Sequence, residues 1–451
     1  MKPLSPRARV WFSAVLAVAV VGAIAAWFLL PPRALSFAGG RTVSLTDYKG
    51  ASPIGVPAEL YSADLISRGR YLTQAADCEV CHTREGGESF AGGRAFKTPF
   101  GVLYSPNITA DPQTGIGTWT ESDFLRAVHK GIAKNGERLY PAFPYDSYTL
   151  MADDDVRAIR AYLFSLPVVH ATAPPNSLRF PFNQRWLMGI WAALYNPDQR
   201  FRPNEDRSAE WNRGAYLAEA LAHCGDCHTP RNLAQALNNR RKFAGAVTAG
   251  WRAYNITADP ASGIGAWNDA ELTDYLRSGH AVGRGLAGGP MAEEIDVSTS
   301  NLTAADLSAL IAYLRSIPPV RTRDLPAPKT APAPDSPGPI QSGRDPLGKA
   351  IFEGACVSCH GWSGVSLVTS YATLTGDRAV NDPSAINVAQ IVVSGQPGHA
   401  AEGVVLMPSF GDAYSDTEIA AVANYVTARF GALPSHLTAQ DVARFRELSS
   451  H

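Results

Sequence analysis

All six cysteines of this 451-residue chain fall into three copies of one short pattern, which constrains the fold more than any other feature. The copies are Cys78-Glu79-Val80-Cys81-His82, Cys224-Gly225-Asp226-Cys227-His228 and Cys356-Val357-Ser358-Cys359-His360. Cys-x-x-Cys-His is the attachment pattern of c-type haem. The two thiols add to the vinyl groups of the haem, and the adjacent imidazole lies under the ring and binds iron.

Structural zinc and structural disulfides are the two other interpretations of paired cysteines. Structural zinc would need two such pairs in one small domain, about 15–20 residues apart, whereas these motifs lie more than a hundred residues apart. Disulfides would leave the three following histidines unexplained. The sequence therefore predicts three covalently bound haem c groups, attached through Cys78, Cys81, Cys224, Cys227, Cys356 and Cys359, with iron bound by His82, His228 and His360.

The composition is that of a chain with several folded domains. Hydrophobic residues make up 45% and charged residues 18%, so each domain can bury a core. A length of 451 residues favours two to four domains. The formal net charge of -1 speaks against a nucleic-acid binder, because such proteins carry a strongly basic surface.

The N-terminal stretch predicts a membrane anchor. Three basic residues precede Trp11–Leu30, an uninterrupted apolar run of 20 residues, which is long enough to span a bilayer. A cleaved signal has a shorter apolar region and a small-residue cleavage site; Ala23-Ile24-Ala25 offers such residues, so cleavage stays open. We expect residues 1–31 to be an uncleaved anchor with a cytoplasmic N-terminus and an exported remainder.

A second apolar run, Arg185 to Leu194, lies in the middle of the chain and contains two tryptophans. It is too short to cross a bilayer. We expect it to form a buried helix.

The first two motifs sit inside an internal repeat. Arg68-Gly69-Arg70-Tyr71-Leu72 precedes the first motif and returns before the second as Arg213-Gly214-Ala215-Tyr216-Leu217. Downstream, Asn107-Ile108-Thr109 returns as Asn255-Ile256-Thr257. The repeat predicts two homologous tandem domains, residues 60–170 and 205–320, joined by an interdomain segment, residues 171–204.

A third, shorter domain surrounds the last motif and is predicted over residues 343–432. Six prolines between positions 326 and 339 indicate a proline-rich linker, residues 321–342, between the second and third domains. The tail, residues 433–451, is either an amphipathic docking helix or a frayed end.

Each domain has the same order of elements: a first helix, the haem motif, irregular loops and a closing helix. No segment shows sustained strand alternation, so the predicted fold class is all-α. One tyrosine in each closing helix is expected to pack against the first helix; these are Tyr162, Tyr313 and Tyr425.

Several blocks beyond the haem motifs carry a closer resemblance. They are Ala91-Gly92-Gly93, Thr98-Pro99-Phe100-Gly101, the two Asn-Ile-Thr blocks, Leu139-Tyr140-Pro141-Ala142-Phe143-Pro144-Tyr145, His228-Thr229-Pro230-Arg231-Asn232 and Gly289-Pro290-Met291-Ala292-Glu293. Together they resemble the three-haem cytochrome c subunit of bacterial membrane-bound dehydrogenases over residues 60–430. The resemblance implies three tandem class I cytochrome c domains on the periplasmic face of the inner membrane.

The resemblance also implies that the chain is not an enzyme by itself. Such a subunit passes electrons from a separate dehydrogenase subunit of the quinoprotein, flavoprotein or molybdenum type toward ubiquinone or a terminal oxidase. The alcohol and sugar branches typically have methionine where this chain has Phe143. The chain therefore looks more like the branch paired with molybdenum hydroxylases and their small iron–sulfur subunits.

A six-coordinate iron needs a second protein ligand besides the motif histidine, and methionine or histidine is usual for electron transfer. The chain has only 5 methionines. Met291 follows the second motif and Met407 follows the third, and both match ligand positions of the family. We expect these two residues to bind the second and third irons.

The first haem lacks such a methionine, because Phe143 stands at the matching place and has no lone pair for iron. His129, Met151 or a vacant position remains. The repeat sets Arg277 opposite His129, so a histidine appears in the unit where methionine is missing, and neutral imidazole binds iron well. His129 is therefore the favoured ligand, against the alternative of an exposed helix histidine.

An open first iron would support an alternative function, that of a haem enzyme such as a peroxidase or an oxidase component. The sequence contains no further catalytic motif. Rapid binding of carbon monoxide at one reduced haem in three would favour this alternative.

Overall fold

The computed structural model describes residues 6–32, 41–44, 57, 60, 63–333, 335, 346–400 and 403–449. The start of the anchor (1–5), the second half of the linker (336–342) and the end of the tail (450–451) lie outside these residues. The helices are α1 (Pro6–Leu29), α2 (Leu65–Ala75), α3 (Cys78–His82), α4 (Glu121–Lys130), α5 (Tyr145–Tyr148), α6 (Asp153–Ser165), α7 (Leu187–Tyr195), α8 (Ala209–Tyr216), α9 (Gly225–His228), α10 (Asp269–Ser278), α11 (Pro290–Val297), α12 (Ala304–Arg315), α13 (Pro346–Ile351), α14 (Val357–His360), α15 (Ile386–Ser394), α16 (Asp416–Phe430) and α17 (Ala439–Ser449).

Short antiparallel strands show that the all-α prediction was wrong in this respect. The strands are β1 (Arg41–Ser44), β2 (Ala95–Thr98), β3 (Gly101–Tyr104), β4 (Ser177–Leu178), β5 (Gln199–Arg202), β6 (Ala246–Thr248), β7 (Trp251–Ala253), β8 (His280–Ala281), β9 (Gly285–Leu286), β10 (Gln396–Ala400) and β11 (Gly403–Met407). They form the sheets β1–β5, β2–β3–β4, β6–β7, β8–β9 and β10–β11. A strand of two to five residues is too short to show alternation in a sequence.

The same crossing of two helices recurs in three units. In each, a glycine of the first helix (α2, α8 or α13) faces the backbone of the closing helix (α6, α12 or α16). An added Cβ would lie 1.9 Å from the Ala158 oxygen at Gly69, 1.8 Å from the Ala309 oxygen at Gly214 and 2.1 Å from the Ala421 oxygen at Gly348. Only glycine therefore allows the backbones to approach this closely. The predicted tyrosine packing is confirmed, because the same three added Cβ atoms would lie 2.8–2.9 Å from the Cβ atoms of the closing-helix tyrosines, Tyr162, Tyr313 and Tyr425.

Local sequence signals set the ends of several helices. α4 begins at a capping box formed by Thr120 and Asp123, and α10 begins at one formed by Asn268 and Glu271. In both boxes, the side chain of the cap residue accepts from the backbone N–H of the acidic residue three positions later, whose carboxylate accepts from the backbone N–H of the cap residue. These bonds satisfy amide groups that a helix start leaves without partners. Each of these helices ends at a glycine with positive φ, so the repeated pair starts and stops alike.

The first two units share one continuous core, and a reciprocal exchange of hydrogen bonds joins them. Tyr71 of the first unit donates to Asp306 of the second at 2.6 Å, and Tyr216 of the second donates to Asp155 of the first at 2.6 Å. Asp155 also pairs with Arg68 of its own unit, and Asp306 pairs with Arg213 of its own. The repeated Arg-Gly-x-Tyr block is therefore a docking element.

The third unit has its own core. It carries Leu347 and Ala350 where the repeated block has arginine and tyrosine, so it cannot join the reciprocal exchange. The predicted tail is part of this unit, because Val442 and Phe445 of α17 are buried in its core. The described part of the proline-rich linker also packs against it in places, with the Ala333 amide donating to the Ser363 carbonyl at 2.9 Å.

The interdomain segment forms α7, and the prediction of a buried helix is wrong for one of its faces. Trp191 is buried against the ring of Tyr145 at 5.8 Å, which places the inner face of α7 on the first unit. Trp186, Ile190 and Leu194 point outward and are exposed.

One helix among the described residues is long and apolar enough to cross a membrane. It covers Trp11–Leu29 and lies near the N-terminus, with its apolar side chains exposed on all sides. Its length and composition agree with the predicted anchor.

Candidate haem-binding sites

Each Cys-x-x-Cys-His motif forms a short helix or the start of one. The first motif is α3 itself, Cys224 directly precedes α9, and Cys356 directly precedes α14. None of the six cysteines forms a disulfide, and Cys359 is the most exposed of them. A helical turn brings residues three apart to one face, so the two thiols of each motif are presented together.

The histidine of each motif is held by the same backbone contact. The Nδ1 atom lies 2.8 Å from the Pro106 carbonyl in His82, 2.6 Å from the Tyr254 carbonyl in His228 and 2.7 Å from the Ala372 carbonyl in His360. A carbonyl only accepts, so Nδ1 carries the proton and Nε2 keeps its lone pair for a metal. Burial lowers the pKa of all three imidazoles and keeps them in the neutral form that binds metal.

The repeated Asn-Ile-Thr blocks hold two of these carbonyls in place. Pro106 directly precedes Asn107, whose buried side chain donates to the Val169 carbonyl at 2.7 Å and accepts from the Thr109 amide at 2.9 Å. In the second unit, Asn255 donates to the Val320 carbonyl at 2.6 Å and accepts from the Thr257 amide at 2.8 Å. The blocks thus orient the histidines from a distance, as supporting residues of metal ligands commonly do.

The donor set of these sites fits haem rather than a bare metal ion. Among the described residues, no three His, Cys, Asp or Glu side chains form a cluster that could hold a metal. Structural zinc takes four protein ligands, whereas haem iron takes four nitrogen atoms from its own ring. The residues present therefore fit a thioether-linked haem, with one neutral imidazole oriented for its iron.

The first and second sites lie against each other, with α11 between them. Arg94 joins the two units, because it donates to the Val80 carbonyl inside the first motif at 2.8 Å and pairs with Glu293 of α11 at 2.7 Å. Burial, and then the charge of Glu294, raises the pKa of Asp77 well above its usual range.

Tyr148 links the two motifs directly. Its hydroxyl donates to the Ala76 carbonyl, two residues before Cys78, at 2.7 Å. Its ring lies edge-on to the His223 ring at 5.3 Å, one residue before Cys224. The buried side chain of Tyr148 therefore contacts the residues just before both haem motifs.

The second unit also reaches the third site. The imidazole of His280 stacks on the ring of Tyr371, with centroids 4.2 Å apart and an interplanar angle of 23°. Tyr371 immediately precedes Ala372, whose carbonyl accepts from His360. The three sites thus follow one another, each connected to the next by packed side chains.

The predicted methionine ligands lie on different elements. Met291 is the second residue of α11, and Met407 is the last residue of β11; both are half-buried. No contact among the described residues tests their binding to iron, so both assignments stay predictions.

His129, the predicted ligand of the first iron, is fully buried in the last turn of α4, so the alternative of an exposed histidine is wrong. Its Nδ1 atom contacts the guanidinium of Arg200, and its Nε2 atom has no hydrogen-bond partner among the residues that the structure describes. Arginine only donates, so Nδ1 accepts and the proton of the neutral ring lies on Nε2. Binding iron through Nε2 would require that proton to leave. His129 therefore stays a prediction, and the buried Met151 remains its competitor.

Sequence reasoning missed Tyr148, His280 and Tyr371, which act between units. The repeat carried no signal for them, because an internal repeat marks what the units have in common. Tyr148 was visible only as part of the Pro-Tyr-Asp-Ser-Tyr stretch after Phe143.

Comparison with family models supports the haem assignment in two parts of the chain. The cytochrome c model matches residues 66–167. The model described as cytochrome c oxidase, cbb3-type, subunit III matches residues 344–426.

Curated relatives resemble the chain over most of its length. The fructose dehydrogenase cytochrome subunit of Gluconobacter japonicus is 37% identical over 84% of this chain and 82% of its own length. The gluconate 2-dehydrogenase cytochrome c subunit of Pantoea cypripedii is 34% identical over 85% of this chain and 90% of its own length. A nicotinate dehydrogenase subunit of Pseudomonas putida is 37% identical over 96% of this chain, which spans only 34% of that longer protein.

Proposed function

Because the chain belongs to the cytochrome c subunits of membrane-bound dehydrogenases, we propose that it carries electrons through three haem c groups to a respiratory acceptor. The relatives are electron-transfer subunits paired with catalytic subunits, and their cytochrome c domains bind haem covalently. The proposal includes three haem-binding sites, one in each of the units 60–170, 205–320 and 343–432.

The repeated contact between a histidine Nδ1 and a backbone carbonyl is the observation that supports three haem sites. It occurs at His82, His228 and His360, and so in the second unit as well as in the two parts of the chain that the family models match. Bound haem would supply the reversible one-electron chemistry of iron. The chain would hold it through the six cysteines, orient the three imidazoles and exclude water around them.

The ligands on the opposite side of each iron are part of the same proposal. Met291 would bind the second iron and Met407 the third, and a methionine ligand raises the potential of a haem. His129 would bind the first iron and give it a lower potential than the other two.

Electrons would pass between units at the contacts described above. Tyr148 and α11 bring the first and second sites together, and the His280–Tyr371 stack connects the second unit to the third site. Close spacing of the haems is what such a carrier needs.

The partner would be a separate catalytic dehydrogenase subunit. The likeness to the nicotinate dehydrogenase subunit over 96% of the chain, together with Phe143, favours a molybdenum hydroxylase with a small iron–sulfur subunit over quinoprotein and flavoprotein partners. The acceptor would be ubiquinone or a terminal oxidase. Residues 1–31 would anchor the chain to the inner membrane, with the haem units on the periplasmic face.

The test uses the full chain reconstituted with its catalytic subunit. Addition of the organic substrate should reduce the haems, and a quinone should then reoxidise them; the chain alone should do neither with substrate. The Cys356→Ala/Cys359→Ala variant should lose one third of the covalent haem and the quinone-dependent turnover, while the dehydrogenase still reduces a soluble dye. Full quinone turnover by the dehydrogenase without this chain would overturn the proposal.

A further inference from the structure

The outer face of α7 is unusually apolar for a surface helix. α7 contains no charged residue, and Ile190 and Leu194 point outward from it, 54% and 56% exposed. Trp186, the N-cap residue directly before α7, is 64% exposed. Their spacing of four residues places them on one side of the helix. A large exposed apolar patch of this kind marks an interaction site.

A loop of the second unit lies beside α7 and adds a further exposed apolar side chain. Trp191, on the inner face of α7, donates its indole N–H to the Ala234 carbonyl at 2.9 Å. Leu233, the preceding residue, projects into solvent and is 89% exposed. We refer to Trp186, Ile190, Leu194 and Leu233 together as the apolar ridge.

The end of the apolar helix α1 rests on the same loop. The side-chain amide of Asn232 donates to the Leu29 carbonyl at 3.0 Å, and the side-chain amide of Asn239 donates to the Pro32 carbonyl at 2.9 Å. The guanidinium of Arg240 lies over the ring of Trp27, 3.9 Å from its centroid. The ridge therefore begins one residue from the point where α1 leaves the proposed membrane.

Basic and aromatic side chains surround the ridge as they do at membrane–water interfaces. Arg185 precedes Trp186, and its guanidinium lies 5.0 Å from the ring centroid of Tyr140. Arg240 and Trp27 form the corresponding pair at the end of α1. Arginine can contact lipid phosphate while tryptophan and tyrosine lie at headgroup depth.

We propose that the apolar ridge inserts into the surface of the bilayer that α1 spans, so that α7 lies along the membrane. The occupant of the ridge is lipid, because the ridge is continuous with the exit of α1 and has the composition of an interfacial helix. The proposal rests on the anchor in the proposed function. Because the inner face of α7 packs on Tyr145, insertion fixes the first unit against the membrane.

The test measures thiol accessibility in the haem-loaded full chain, reconstituted in vesicles of phosphatidylcholine and phosphatidylglycerol. Native cysteines are blocked as thioethers, so single introduced cysteines can be followed with a water-soluble maleimide. Ile190→Cys and Leu233→Cys report on the ridge, and Val18→Cys reports on α1. Ser122→Cys is the aqueous control, because it is exposed between two acidic residues at the start of α4.

The proposal predicts reaction at least about tenfold slower at the ridge and at Val18 than at Ser122, since thiols react as thiolates and lipid disfavours the ion. All variants should retain the absorption spectrum of the unaltered chain. Protection at Val18 with full reactivity at the ridge would overturn the proposal and leave the anchor intact. Protection of the ridge only after the catalytic subunit is added would overturn it in favour of a protein interface. Full reactivity at Val18 would refute the anchor, and the ridge proposal with it.

Discussion

Replacing Asn107 with alanine tests whether the repeated Asn-Ile-Thr blocks orient the haem ligands. The Asn107 amide donates to the Val169 carbonyl and to the Thr114 hydroxyl, and its oxygen accepts from the amide and hydroxyl of Thr109. Asn107 and Thr109 are buried, and Pro106, the residue before Asn107, supplies the carbonyl for His82.

The expected cost follows from the bonds lost. A hydrogen bond contributes about 0.5–1.5 kcal/mol net, and a buried group left without a partner costs about 1–3 kcal/mol. Asn107→Ala removes five contacts, which include a long one to the Ala171 carbonyl at 3.5 Å. The Thr109 amide loses its partner, whereas the Val169 carbonyl still accepts from the Thr109 hydroxyl at 3.2 Å. The free energy of unfolding should therefore fall by about 2–4 kcal/mol. A looser Pro106 carbonyl makes His82 a weaker donor to iron, which should raise the potential of one haem.

The assay combines denaturant unfolding followed by haem absorbance with a redox titration. Asn255→Ala should destabilise the second unit by a similar amount and raise the potential of a different haem. Asn135→Ala is the control, because Asn135 is exposed and, within the described part of the chain, accepts a single hydrogen bond, from the Glu137 amide. If Asn107→Ala behaves like Asn135→Ala in both measurements, the orienting role of the block is refuted.

Two further predictions concern the helix crossing and the first iron. Gly348→Ala should destabilise the third unit by about 1–3 kcal/mol in denaturant unfolding, because the added methyl group overpacks the helix crossing. Gly354→Ala is the control and should leave stability unchanged or raise it, because nothing lies within 4 Å of the added Cβ. Equal effects of the two substitutions would contradict the close-contact explanation. His129→Ala should convert one haem of three to a high-spin form in the absorption spectrum, and Met151→Leu should not; an unchanged spectrum in His129→Ala would leave Met151 or a vacant site.

The sequence predicted those features that each unit repeats. The block around Gly69 was visible because it returns around Gly214, and the predicted packing of the closing-helix tyrosines is confirmed. That these glycines lie at the helix crossing is a finding of the structure. The short strands were missed because two to five residues cannot show a period.

Contacts between units could not be read from the repeat. The exchange of Tyr71 and Tyr216 between the units depends on how the closing helices are placed, which no local pattern records. The apolar run at α7 was correctly recognised as too short to span a membrane. Its period did not reveal that only one side of the helix, which includes Trp191 and Ala192, is buried against the protein. A helix that is apolar on all sides is predicted to be buried. Only the fold showed that the outer apolar face of α7 is exposed.

The most direct test of the central claim is a coulometric titration of the purified full chain, combined with its intact mass. The account predicts three covalently attached haems and three electrons taken up per chain, with no oxidation of an organic substrate by the chain alone. Two haems per chain, or steady substrate turnover without a catalytic subunit, would contradict it.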